Sequence, residues 1–317
     1  MKTLIEILQQ YNSIAIAGMA KNAGKTTTLN YMISGFAANG ATLGLTSIGL
    51  DGEETDHVTA TPKPRIFVPA GTIIATAEKL LAMRDKGSGI NNIARQILAV
   101  MDDYTTPLGR IVVVRALTAG YVMLAGPSMV AQIAPVMRVL QDAGATKIII
   151  DGAAGRKSLA VPEIAEAVVL AAGASLARSI DNVIAETRHT VEIFNLPLVG
   201  AACGRPLPNG EYIHLQGAIT DAKLDGLFNQ HIIADNATKI LITPKALTKL
   251  RLSSGTISVK SRINLAAVTI NPISPYGINF DADQFLEKMR AALPVPVFDI
   301  VGASCARPHV KETSCLD

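Results

Sequence analysis

Two hydrophobic patterns run along this chain. Short unbroken apolar runs, rich in β-branched residues, recur and end in glycine, proline or a carboxylate; between them lie stretches whose apolar positions return every three or four residues. The first pattern predicts strands buried on both faces, the second helices laid against a sheet. Strands are expected at 14–17, 41–49, 110–115, 120–126, 146–151, 167–171, 265–270 and 295–301. Helices are expected near the amino end, after Lys25, over Thr72–Met83, and over Val130–Leu140 with Ser128 as its cap. Further helices are expected to begin at Pro162–Ala165 and to span Ile180–Val191 and Asp283–Leu293. Strand and helix alternate through most of the chain, which predicts an α/β three-layer sandwich with a mostly parallel central sheet.

The last third is less regular. Tyr212–Leu215 and Lys239–Thr243 read as strands flanking a polar helix, Asp221–Asn229, and the chain turns near Gly255 into Thr256–Val259. Thr61-Pro62-Lys63-Pro64 is turn punctuation, and Asp85–Gly89 has the composition of a mobile tip. There is no internal repeat and no low-complexity linker. Residues 1–317 are therefore expected to form a single domain, with 204–262 a candidate subdomain.

Composition narrows the class. Apolar residues make up 49% of the chain, yet no stretch of the length needed to cross a bilayer is uninterrupted, so no membrane span is expected. The start, MKTLIEILQQYNS, lacks the apolar core and small-residue site of a signal peptide. The formal charge is +3 and the basic residues are scattered, which gives no nucleic-acid footprint. Three cysteines, Cys203, Cys305 and Cys315, make no disulfide framework and fit a reducing cytoplasm. Aromatics are 4% with no tryptophan, so the core must be aliphatic and stacking platforms are few.

The candidate chemistry centres on Ser13–Asn30. The run Ile14–Ala17 ends in Gly18-Met19-Ala20-Lys21-Asn22-Ala23-Gly24-Lys25-Thr26, and Thr26 and Thr27 open a helix. This is strand, a GxxxxGK[ST] loop, and helix start. Gly18 and Gly24 lack Cβ, so backbone N–H groups can close on an anion. Lys25 supplies a point charge for β- and γ-phosphates, the Thr26 hydroxyl suits Mg²⁺, and the helix amino end favours negative charge. The ordinary alternative is a glycine-containing turn that happens to spell the pattern.

Carboxylates at later strand ends extend the reading. Asp51, past the second strand, could face the γ-phosphate, attacking water or the metal's surroundings; the segment DGEETD, with Asp56 and His57, is also composed like a surface loop. Asp151, ending Ile148–Ile150, could hold Mg²⁺ or simply turn the chain. Gly155, Arg156, Lys157 and Ser158 read either as a switch or as an exposed basic loop. Asn271, before Pro272, could read a nucleobase edge or form a turn. Cys305, His309 and Cys315 match no trusted zinc spacing. His189, His214 and His231 have no catalytic partner close in sequence.

These motifs carry a resemblance. The strand-loop-helix, Asp51 and the strand ending in Asp151-Gly152 resemble the P-loop class that includes dethiobiotin synthetase and the MobB-like molybdopterin-guanine-dinucleotide proteins. Lys21-Asn22-Ala23-Gly24-Lys25-Thr26-Thr27 is similar to the latter's loop. Lys21 lies four residues before Lys25, one short of the signature lysine of the ParA/MinD group, so no dimer-bridging role follows for it. More of the chain, TSIGLDGEETD, RIFVPAGTIIATAEKLL, DGAAGRKSLA and NPISPYGINFDADQF, resembles the nucleotide-binding subunits of lysine 5,6-aminomutase reactivases.

The resemblance implies an Mg²⁺-dependent nucleotide-binding protein or NTPase that uses ATP to reactivate an adenosylcobalamin-dependent aminomutase, with a separate partner subunit. Composition does not choose ATP over GTP. Lys25, Asp51 and Asp151 are the expected catalytic residues, and Gly18, Lys21, Asn22, Ala23, Gly24, Lys25, Thr26, Thr27 and Asn271 would bind nucleotide. Thr26 and Asp151 would hold the metal. A biosynthetic enzyme that transfers a nucleotide phosphate and a non-hydrolysing scaffold are the competing expectations. A homo-oligomer is compatible with all three.

Overall fold

The computed structural model describes residues 2–49, 65–82, 93–152, 164–199 and 212–305. The chain opens with α1 (Leu4–Leu8), β1 (Ser13–Gly18), α2 (Lys25–Ala38), β2 (Leu43–Ser47), β3 (Ile66–Val68) and β4 (Ile73–Ala77). It continues through α3 (Glu78–Ala82), β5 (Arg95–Thr106), β6 (Gly109–Ala116), β7 (Gly120–Val122), α4 (Ile133–Asp142), β8 (Lys147–Asp151) and β9 (Ala167–Gly173). The last part holds α5 (Ile180–Phe194), β10 (Tyr212–His214), β11 (His231–Asn236), α6 (Pro244–Leu252), β12 (Thr256–Ser261), β13 (Leu265–Asn271), α7 (Ala282–Ala292), β14 (Val297–Asp299) and α8 (Ile300–Cys305).

Nine strands form one sheet in the order β14-β13-β9-β1-β8-β2-β4-β6-β5. The first seven run parallel, and β6 and β5 add two antiparallel strands at one edge. The fold is therefore α/β, with a large, mostly parallel central sheet flanked by helices. Among the described residues, no helix is long and apolar enough to cross a membrane.

The unbroken apolar runs are explained by two cores, one on each side of the sheet. In β1, Ala15 and Ala17 face one core while Ile14 and Ile16 face the other. In β8, Ile148 and Ile150 separate from Ile149 in the same way, and in β9 Val168, Leu170 and Ala172 separate from Ala167 and Val169. A strand with apolar neighbours above and below has no polar position to alternate.

The edge opposite the strands' carboxyl ends is tied by polar contacts. Thr3 and Glu6 form a capping box that starts α1, with Thr3 N donating to Glu6 Oε2 at 2.7 Å and Glu6 N to Thr3 Oγ1 at 3.2 Å. Lys147 Nζ donates to the carbonyls of Gln9 and Tyr11, each at 2.6 Å, anchoring that segment to β8; burial pushes this ammonium's pKa down.

A second, three-stranded parallel sheet, β10-β11-β12, lies within 212–261, inside the range expected from sequence to be a subdomain. Its Ile232, Ala234, Ile257 and Val259 belong to the same apolar cluster as one face of the large sheet. Val259 N donates to Pro197 O and Val199 N to Val259 O, both at 2.9 Å, so the segment after α5 runs beside β12.

Several expected elements are replaced. Thr72–Met83 is not one helix: β-branched Ile73 and Ile74 lead the strand β4, and only Glu78–Ala82 is helical. Gly120–Val122 is a short strand paired with β3 in a separate two-stranded sheet. Ser128 caps nothing; a 3₁₀ turn over Val130–Gln132 leads into α4. Asp221–Asn229 contains only a 3₁₀ turn, Ala222–Leu224, and Gly226 at φ 75° ends it. The strand placed at Lys239–Thr243 lies instead at His231–Asn236, and α6 begins at Pro244 with Thr243 as its cap. Segments 61–64, 85–89 and 155–158, and Cys203, His309 and Cys315, lie outside the described residues.

Candidate functional site

The carboxyl ends of β1, β2, β8, β9 and β13 meet along one edge of the sheet, and the connections there diverge. From β1 the chain crosses through α2 toward β2 on one side; from β9 it passes through α5 and the small sheet to β13 on the other. Open α/β sheets bind ligands at such a divergence between neighbouring strands. Gly18 ends β1 here, and residues 19–24 lead directly into α2.

Two left-handed residues shape that loop. Asn22 has φ 61° and Gly24 φ 99°. Gly24 is also the N-cap of α2 and contributes no side-chain cap to its first turn. Below it, Thr28 Oγ1 donates to Gly24 O at 3.0 Å and shares a 2.8 Å hydrogen bond with Thr269 Oγ1 of β13, pinning the first turn of α2 to the sheet. Thr26 and Thr27 are half-buried at the head of the helix.

Lys25 does not extend into solvent. Its chain folds back across Gly18, where an added Cβ would stand 2.7 Å from Lys25 Cδ. The ammonium donates to the carbonyl oxygen of Gly152 and lies 3.9 Å from Asp151 Oδ1, with both residues buried. The register of the sheet makes this meeting unavoidable, because Asp151 pairs with Ile16 of β1 on one side and Ser47 of β2 on the other. A long cation on α2 and a carboxylate from β8 thus converge behind the glycine that ends β1.

The opposite wall comes from β9 and β13. Met19 N donates to Ala171 O and Ala174 N to Asn271 O, both at 2.9 Å. A Cβ on Gly173 would lie 2.9 Å from Asn271 O and 3.1 Å from Ala23 O, so this glycine lets the loop rest on the ends of both strands. Asn271 Oδ1 accepts from Ile273 N at 3.1 Å, the turn-forming bond expected of Asn before Pro. Its Cβ side packs on Gly24.

At the β2 end, Ser47 Oγ accepts from Gly126 N at 2.9 Å, and Ile48 N donates to Asp151 O at 3.1 Å. Gly126 touches the Ser47 backbone so closely that a Cβ would fall 1.6 Å from its carbonyl oxygen. Asp51, Asp56 and His57 follow this strand end and lie outside the described residues.

The structure thus brings together Gly18, Lys21, Asn22, Ala23, Gly24, Lys25, Thr26, Thr27, Asp151 and Asn271 around one strand-to-helix loop. Gly173 and Gly126 were not singled out from sequence; neither stands in a motif, and only the strand order places them here. The donors suit an oxyanion: a glycine-flanked loop, an uncapped helix start and a buried cation. The oxygens available to a hard cation are the Thr26 hydroxyl and the Asp151 carboxylate. Mg²⁺ commonly keeps several waters and takes one or two protein carboxylates, so a sparse donor set fits it. Among the described residues there is no group of three or more His, Cys, Asp or Glu that could hold a metal ion. Comparison of the chain with protein-family models, with curated proteins and with solved structures found no match, so the functional reading rests on this geometry and on the motifs.

Proposed function

We propose that this chain is an Mg²⁺-dependent nucleotide-binding protein of the P-loop type that hydrolyses a nucleoside triphosphate, ATP or GTP, at the loop between β1 and α2. The observation that carries the proposal is the convergence of Lys25 and Asp151 behind Gly18. A buried lysine on the first turn of a helix, beside a strand-end carboxylate, is an arrangement that phosphate and magnesium explain together. An exposed glycine turn explains neither burial.

In this proposal the loop amides from Gly18 to Thr27, with Lys21, Asn22 and Ala23 between the glycines, enclose the phosphates. Lys25 exchanges the Gly152 carbonyl for phosphate oxygens. Thr26 and Asp151 hold Mg²⁺, whose chemistry is to offset negative charge on the phosphates. Asp51 orients water, and Asn271 offers its amide to the base while its backbone holds the loop. Catalysis on these terms is positioning and charge compensation.

Calorimetry with Mg²⁺ and ATP or GTP tests the assignment. Wild type is expected to bind one of them and Lys25→Ala neither, with circular dichroism showing the variant folded. Equal affinity in the two proteins overturns the proposal.

The resemblance to aminomutase reactivases supports a narrower role: an ATP-driven cytoplasmic accessory subunit that acts with a partner subunit to reactivate an adenosylcobalamin-dependent amino-acid aminomutase. Hydrolysis stimulated by such a mutase, and co-purification with it, are the expected results. Turnover that instead requires a small phosphate acceptor identifies a biosynthetic enzyme, and tight binding without turnover identifies a scaffold.

A further inference from the structure

β5 ends the nine-stranded sheet. Among the described residues it pairs with β6 on one side and with no strand on the other. It is twelve residues long and contains no proline. Such an edge leaves a row of backbone donors and acceptors as a template for another strand. Ile97 and Val100 add apolar surface to it, 64% and 41% exposed.

The strand's irregularity gives this edge an internal symmetry. Residues three apart on a regular strand face opposite sides. Here the register shifts between Ile97 and Ala99, so Ile97 lies opposite Val114 and Val100 opposite Val112, and both valines belong to the same core. Arg95, opposite Ala116 of that core, shares the face, and its guanidinium donates to Leu81 O at 2.6 Å. Asp102 lies inside a second register shift, between Met101 and Thr105, and its contact with Arg110 at 2.7 Å places it on this face. Leu98, Ala99 and Met101 pack toward the other core. From the midpoint between Leu98 and Ala99, one direction along the common face reads apolar then cationic, and the other apolar then anionic.

We infer that two copies of this chain associate through β5, antiparallel about a two-fold axis passing between Leu98 and Ala99, joining their sheets into one. In that register Ile97 faces Val100 of the second copy, and Arg95, bonded to Leu81 O in its own chain, stands opposite the second copy's Asp102, bonded there to Arg110, each contact occurring twice. Opposite charges and apolar pairs directly across an antiparallel ladder stabilise it, whereas a one-residue slip would set apolar side chains against the wrong face. A partner of different sequence would match this arrangement only by coincidence; a second copy matches it by symmetry.

Light scattering coupled to size exclusion, on the full chain, tests the pairing with wild type, Ile97→Lys and Val100→Lys. Both positions are exposed, so the circular-dichroism spectrum is expected to stay that of the wild type while the mass falls by half from the wild-type dimer. Oxidising a mixture of Ile97→Cys and Val100→Cys chains should give the mixed disulfide in preference to either variant linked to itself. A wild-type monomer at every concentration overturns the inference, including one that captures a different protein. A dimer that survives both lysine substitutions also overturns it, and self-linked products in excess of the mixed one overturn the register.

Discussion

Gly24 packs directly on Asn271: a Cβ at position 24 would stand 2.8 Å from Asn271 Cβ. The same glycine sits at φ 99°, where an L-residue is strained whatever the space. Gly24→Ala therefore meets two independent obstacles, and a loss of about 2 kcal/mol of stability is expected. Adding Asn271→Gly removes the contact but not the dihedral strain. In urea unfolding Gly24→Ala should cost less in the Asn271→Gly background, which itself lacks the bond to Ile273 N, than in wild type; no cost in that background would mean that the backbone conformation at 24 is unstrained.

The Lys25–Asp151 approach makes a prediction about stability that is separable from ligand binding. Lys25→Met removes the cation beside a buried carboxylate, with an expected cost on the order of 3 kcal/mol. Asp151→Asn in the same chain neutralises that carboxylate, so the double variant should be more stable than Lys25→Met alone. A double-mutant cycle by chemical denaturation measures this coupling, and purely additive effects would show that the 3.9 Å approach has no energetic content. Under the proposed function, Asp151→Asn alone should weaken the response to Mg²⁺ more than affinity for the nucleotide. An unchanged Mg²⁺ titration would remove Asp151 from the metal site.

At the end of β2, Gly126→Ala should be among the most damaging single-methyl additions in the chain. The new carbon would need to share space with the Ser47 carbonyl oxygen, a backbone atom that cannot swing aside. A loss of about 3 kcal/mol or more is expected in thermal or urea unfolding, with displacement of the Gly126 N–H from Ser47 Oγ. Ser47→Ala removes the hydroxyl's bonds to Gly126 N and, at 3.3 Å, to Gly49 O without any steric clash, and should cost about 1–2 kcal/mol. Comparable losses in the two variants would show that the close approach relaxes without strain.

How much of this was legible in the sequence follows from where each residue sits in the sheet. β1, β8, β9 and β13 are buried on both faces, so their apolar runs identify them without reference to neighbours. β5 went unread because its exposed positions interrupt the apolar run and its register shift breaks the alternation. Ile73–Ala77 read as helix because Ile73, Ile74, Leu80 and Leu81 recur at helical spacing, although the pairs belong to different elements. Lys25 and Asp151 could be picked from local motifs, but their proximity depends on β8 inserting between β1 and β2. Gly126 and Gly173 gain meaning only from the backbone they touch, which no local pattern encodes.

The segment 212–261 supplies a pH-dependent contribution whose sign is fixed by its hydrogen bonds. Asp235 Oδ1 accepts from His214 Nε2 at 2.8 Å, and this bond, more than the Lys260 ammonium at 3.3 Å, holds the carboxyl below its ordinary pKa. Asp221 is held low by the Thr243 hydroxyl at 2.6 Å and, secondarily, by the Thr243 N–H at 2.8 Å. A carboxyl whose folded-state pKa lies below its unfolded one stabilises the fold fully above the unfolded value, near pH 4, and loses that effect as pH falls through the folded value. Asp235→Asn and Asp221→Asn should each lie below wild type in stability at about pH 6 and converge toward it near pH 2. Both aspartates are largely solvated, so the gaps are expected to be small and to shrink with added salt for Asp235, whose partners include a cation, more than for Asp221. Unfolding midpoints measured across that range check the sign: a gap that stays constant from pH 6 to pH 2 would place the effect in shape or packing and not in ionisation.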